Sequence, residues 1–147
     1  MDKNAYLIQL SESEGTDFGR VKFVNQSEPQ KVFSAIWALE SEVNSGGFLH
    51  YFTSWEFDTA NFALVALHTI GAQTCASIVE RALQTLSDSP LPSSREDCEQ
   101  LVASLSEEDK KKFETLDSEF FSYPDNLTEL LFEYVASNPA AFGPTPK

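Results

Sequence analysis

Two histidines, two cysteines and a surplus of carboxylates are the side chains in this 147-residue chain with the means to do chemistry. His50 and His68 stand outside any HExxH or His-x-x-x-His arrangement, so neither brings a second imidazole to a zinc ion. Both are flanked by apolar residues, the setting of a partly buried structural histidine. Glu40 and Glu42 precede a Gly46-Gly47 pair, and with His50 they compose a carboxylate–imidazole group able to move a proton near a tight turn. Glutamates two apart on a helix point about 200° from each other, however, so the two cannot both serve one site. No GxxxxGK[ST] or GxGxxG phosphate loop occurs. Cys75 and Cys98 lack CxxC spacing and a clustered histidine, and read as buried free thiols. The residues thus point to no catalytic group, no metal site and no cofactor.

What remains is charge. Ten lysines and arginines oppose 23 aspartates and glutamates, a net −13. This balance argues against direct nucleic-acid binding, which draws on cations that displace condensed counterions, and against an anionic membrane surface. Between Glu96 and Glu133, twelve carboxylates face only Lys110, Lys111 and Lys112, so over two thirds of the surplus lies in about a quarter of the chain. Glu96, Asp97, Glu107, Glu108, Asp109 and Glu129 fall in expected first helical turns, where negative charge complements the helix dipole. The spacing also predicts i,i+4 pairs of Glu107 with Lys111 and Glu108 with Lys112. Glu99, Glu114, Asp117, Glu119 and Glu133 show no evident same-helix partner. With Glu96 they form the candidate partner-binding surface. Carboxylates three or four apart on a helix stand roughly 5–6 Å apart at Cβ, near the scale of phosphate spacing on a strand. Such a surface can occupy the basic groove of a DNA-binding protein.

These side chains must be positioned by helices. The expected architecture is all-α, a compact single-domain bundle of six or seven helices with short connections over residues 1–147. Residues 1–27 hold an N-terminal helix and loop, with Ser11–Asp17 a polar loop and the piece from Gly19 to Val24 unassigned. Ser27 caps a helix with Pro29 in its first turn, and Val32, Ile36, Leu39 and Val43 recur at helical spacing until Gly46-Gly47. An aromatic segment, Phe48 to Phe52, follows that corner. Asp58 is expected to cap the next helix, which stops at Gly71 and pairs antiparallel with a helix over about Ala72–Leu86. A Pro-rich connection, Asp88–Ser93, leads to caps at Ser94 and Ser106. The second opens a helix with Phe113, Leu116 and Phe120 inward. Tyr123-Pro124-Asp125-Asn126 breaks it, a last amphipathic helix follows from Leu127, and the tail 143–147 is expected to fray. No apolar run reaches 18 residues and the start is too polar for a signal-peptide core, so a cytoplasmic protein is expected.

Specific residues carry a family resemblance. The run Leu39 to Phe52, with Glu42, Asn44, Gly46, Gly47, Phe48, Tyr51 and Phe52, resembles the E-x-x-N-G-G-F-x-x-F/Y-F hallmark of a bacterial domain family whose characterised member is a DMP-type DNA-mimic protein. Ala66 to Ala72 is similar to its A-L-x-x-I-G-A segment, which includes Gly71. Leu116 to Phe121 and Leu127 to Phe142 resemble its C-terminal pattern. After the aromatic pair, Thr53-Ser54-Trp55-Glu56 stands where members carry an Asn-Ser-x-Gly-like turn. The resemblance covers roughly residues 30–142. It implies an all-helical fold, no established catalytic residues, frequent dimerisation and, in the characterised case, an acidic surface that occupies a transcriptional regulator in place of its operator.

Three readings follow. The first is a non-enzymatic DNA mimic engaging a basic DNA-binding protein through Glu96, Glu99, Glu114, Asp117, Glu119 and Glu133. The second is a protein-interaction or toxin-neutralising module using exposed aromatics such as Trp55, Phe57 and Tyr123. The third is an enzyme built around Glu40, Glu42 and His50.

Overall fold

Helix α2, Glu28–Thr53, is the element on which the others are laid. Its start is a reciprocal capping box: the Ser27 hydroxyl accepts from the Gln30 amide, and the Gln30 side chain accepts from the Ser27 amide. Val32, Phe33, Ala35, Ile36, Ala38, Leu39 and Val43 are all buried, a spread wider than one amphipathic stripe. A helix apolar on several sides belongs in the interior. Accordingly α3 (Ala60–Ile70), α5 (Arg95–Ala103), α6 (Glu107–Phe121), α7 (Leu127–Ala136) and the single-turn α8 (Pro139–Phe142) all pack against it. Helix α4 (Gln73–Leu86) lies on α3 and α6, and α1 (Lys3–Ser11) lies on α7.

The computed structural model describes residues 2–12, 21–87 and 90–144, and among them every regular element is helical. The all-α expectation therefore holds, with seven longer helices and the short α8. Most of the Ser11–Asp17 loop, Asp88-Ser89 and the last three residues of the expected frayed tail lie outside the described residues. Phe23–Asn25, at the end of the unassigned piece, is a 3₁₀ turn.

The α3–α4 corner forms as its sequence requires. Gly71 takes the left-handed conformation (φ 83°), and the Ala72 amide donates back to the Leu67 carbonyl at 2.9 Å. Ser94, Ser106 and Asn126 each cap their helices by accepting a backbone amide three residues on. Cys75 and Cys98 are buried and unbridged.

Two local expectations are corrected. Asp58 does not cap α3: it sits in a 3₁₀ turn, Phe57–Thr59, and Thr59 precedes the helix without a side-chain cap bond. The lysines of α6 pair at i,i+3 rather than i,i+4, Lys110 with Glu107 and Lys112 with Asp109. Ion pairs this exposed are worth a few tenths of a kcal/mol, so either register is nearly equivalent.

Thr59 is nonetheless important as a buried polar residue. Its hydroxyl donates to the Glu56 carbonyl at 2.8 Å, so the Tyr51 phenol 2.6 Å away must be the donor to it. This bond fastens the end of α2 to the turn that starts α3. Replacing Tyr51 with phenylalanine is expected to cost about 1 kcal/mol, lowering the urea midpoint with an unchanged slope. A midpoint equal to the parent's would show that the bond adds nothing.

Candidate functional site

At Gly47 the chain of α2 leaves helical geometry (φ 86°, ψ 179°), a left-handed φ that a residue with a Cβ rarely adopts. The break turns Phe48, Tyr51 and Phe52 into the core, where all three are fully buried. Phe48 meets Phe120 edge-on at 5.7 Å and Phe52 meets Phe113 edge-on at 6.2 Å, so the turned segment is gripped by α6. Breaking a helix strands backbone amides. The Phe48 amide is recovered by Asp117 of α6, whose Oδ1 accepts it at 2.9 Å. The other Asp117 oxygen occupies the space that a Cβ on Gly47 would enter. Burial raises the Asp117 carboxyl above the usual aspartate range, with the Phe48 amide pulling the other way.

Asp117 is therefore an internal cap, and the other five expected surface acids also sort by environment. Glu119 makes a bidentate pair with Arg81 of α4, both contacts 2.9 Å, which holds its carboxyl below the ordinary range. Glu99 has a same-helix partner after all: Arg95, at i−4, reaches it at 3.3 Å. Glu96, Glu114 and Glu133 are exposed, one each on α5, α6 and α7, and their side chains have no ion pair among the described residues. The structure thus splits the set of six, with Glu96, Glu114 and Glu133 the acids left to project charge.

Arg95 does more than pair with Glu99. Its Nε donates to the Thr53 carbonyl at 2.7 Å, and its guanidinium lies 4.2 Å from the ring centre of Trp55. Trp55 is 80% exposed, with one face already covered by that guanidinium. Phe57 is half-buried, and the Tyr123 hydroxyl bonds Asn126 and Thr128 in the α6–α7 turn.

His50 is exposed rather than packed inside, and its Nε2 stands 2.7 Å from Glu42 Oε2. The imidazole leans over Gly46, where a Cβ would lie 2.7 Å from its ring. Glu40 faces a different cleft from Glu42, as opposed positions on one helix require. His68 is exposed, its Nδ1 2.9 Å from Gln73. Among the described residues no group of three His, Cys, Asp or Glu is placed to hold a metal.

The model of the DMP19-like protein family matches residues 25–138. The chain belongs to that family. Searches of curated proteins and of solved structures found no match. In this DMP19-like chain the hallmark has a mechanical meaning: Gly47 makes the corner, Phe48, Tyr51 and Phe52 fill it, Gly71 ends α3, and Glu42 holds the imidazole that covers Gly46. Asn44 is exposed on the approach to the corner.

Two capping acids escaped the sequence reading, and each had a signal. Asp117 lies in the family's L-D segment, though its charge alone suggests a surface role. Asp125 accepts the Cys75 amide at 2.7 Å, supplying the start of α4 with the cap that Ala72 cannot provide. A glycine break and a helix beginning without Ser, Thr, Asp or Asn both call for a distant acceptor.

Removing Asp117 tests the corner. Asp117→Ala leaves the Phe48 amide without its acceptor and is expected to cost about 2 kcal/mol. Asp117→Asn should cost less, and exposed Glu114→Lys under about 0.5 kcal/mol. Urea denaturation separates these outcomes, and equal midpoints for Asp117→Ala and Glu114→Lys would refute the cap. Acidity offers a second test. Burial raises Glu40, Glu56, Asp58 and Asp117, so the folded protein takes up protons before the unfolded chain does, and stability rises as pH falls from 7 towards 5. Glu119, lowered by Arg81, opposes this and loses its contribution only at lower pH. The melting temperature at pH 5.5 should exceed that at pH 7.5; a fall over that interval would contradict the assignment.

Proposed function

We propose that this DMP19-like protein works without catalysis, presenting surplus carboxylates to the basic surface of a DNA-binding protein, of the transcriptional-regulator class, in place of nucleic acid. The observation that carries this reading is the division of charge. With a net of −13, Lys3, Arg81, Arg95, Lys110 and Lys112 are each engaged by an acid of the same chain, Lys22, Lys31 and Lys111 have no ion pair among the described residues, and Glu96, Glu114 and Glu133 are exposed and unengaged among them. The outward field is therefore anionic, and a basic groove gains by meeting it much as it gains from phosphates. Family membership supports the same reading. No helix among the described residues is long and apolar enough to cross a membrane.

A second, catalytic reading draws on the Glu42–His50 contact, because an imidazole held by a carboxylate is a general base wherever a substrate proton comes within reach. The exposed Trp55 would instead serve an aromatic docking surface. The aromatic surface is separable from charge mimicry by experiment.

The immobilised full-length protein is challenged with extract of the cells that make it. Basic proteins retained at about 50 mM salt should elute by about 200 mM and on addition of duplex DNA. The triple variant E96K/E114K/E133K should lower their retention roughly tenfold or more, and Trp55→Ala should leave it unchanged. Retention that resists both salt and the triple reversal but disappears with Trp55→Ala would overturn the proposal in favour of the aromatic surface.

A further inference from the structure

Residues of α1, α2 and α7 line a cleft of about 220 Å³ that none of the roles above uses. Leu7 and Leu131 form apolar walls, Trp37 stands at one side, and Glu40, Asn4 and Asn44 supply polar groups. Glu40 is half-buried and has neither hydrogen bond nor ion pair among the described residues. Burial pushes its carboxyl above the usual glutamate range, and no cation counters the effect. Lys3, the cation on α1, is already engaged by Glu129 and lies over the Phe132 ring. The amides of Asn4 and Asn44 and the indole N–H of Trp37 are likewise without partners among the described residues, while the Trp37 ring stacks on Phe33.

The chemistry of this lining selects its guest. An anion meets a carboxylate and an overall charge of −13. A neutral guest displaces water from Glu40 and leaves its charge uncompensated. A divalent metal demands several hard oxygen ligands, and one carboxylate with two flexible amides is a poor set. A cation with a short apolar body satisfies every wall at once.

We infer that the cleft binds a primary alkylammonium, its head on the Glu40 carboxylate and the amide oxygens of Asn4 and Asn44, its methylene chain between Leu7 and Leu131 beside Trp37. The same chemistry is offered by a free amine and by a lysine side chain of a partner protein. The inference is independent of the acidic-surface reading, since Glu96, Glu114 and Glu133 take no part in the cleft.

Trp37 is its natural reporter, because Trp55→Phe removes the second tryptophan. In that background, n-butylammonium chloride, matched against sodium chloride, should change Trp37 emission saturably, and n-butanol should not. Glu40→Gln should weaken the binding roughly tenfold or more. Ile8→Phe, a substitution at a partly exposed lining position, should narrow the cleft and weaken binding while leaving Glu40 in place. Unchanged helical circular dichroism in both variants excludes unfolding as the cause. Tighter binding of putrescine than of N-acetyl-lysine-methylamide assigns the cleft to free amines, and the reverse order assigns it to a partner's lysine. An unsaturable response, or identical titrations of parent and Glu40→Gln, would overturn the inference.

Discussion

A backbone amide taken out of water must find an acceptor, and the Phe48 amide is where this requirement governs the molecule. A 26-residue helix running straight would extend about 39 Å, and the non-helical backbone of Gly47 breaks it just before Phe48, Tyr51 and Phe52, all fully buried. The break at Gly47 redirects the aromatic segment and leaves a backbone amide to be satisfied. Asp117, arriving from α6 after a separation of 69 residues, caps it. The helix that supplies the cap also supplies Phe113 and Phe120 to the aromatic cluster, so a shift of α6 loosens the polar and apolar contacts together. Local backbone geometry and tertiary packing are thereby one constraint.

That constraint decides what the acids can do. A carboxylate that caps a buried amide cannot also project its field, and one held bidentately by Arg81 projects a dipole more than a charge. Asp117 and Glu119, two positions apart on α6, are drawn to different neighbours, α2 and α4, because helical geometry aims them apart. Glu114, one turn before Asp117 and near enough to help raise its carboxyl, keeps a free charge because it is exposed and forms no ion pair among the described residues. Capping, inter-helix pairing and solvent exposure thus divide one short acidic stretch into three physical roles.

Much of the fold was legible because its signals are local. Ser27 with Gln30, Gly71, Ser94 and Ser106 all stand where helix termini need them, and the 3.6-residue spacing of Phe113, Leu116 and Phe120 marks the inner face of α6. Asp58 misled because an aspartate before an apolar run is a good cap only when the helix starts there, and the 3₁₀ turn at Phe57–Thr59 delays that start. The candidate surface was legible in composition and not in partnership. Glu99 with Arg95 is a sequence-visible i,i+4 pair, but Glu119 with Arg81 and Asp117 with Phe48 join residues 38 and 69 apart, and no periodicity along the chain registers such contacts.

Charge surplus and core strength are linked in this chain. Net repulsion at −13 opposes compactness, and several raised carboxyls show that folding itself burdens the acids: Glu56 is raised first by burial and then by Asp58 and Glu42 nearby. A fold carrying such repulsion needs compensation from interactions that salt and acid do not weaken. The aromatic cluster around Phe48 and Phe52 and the Tyr51–Thr59 bond are of that kind, apolar or neutral and fully enclosed. The buried hallmark residues Phe48, Tyr51 and Phe52 therefore matter to the acidic surface without lying on it. They hold the body together against the charge that its surface displays.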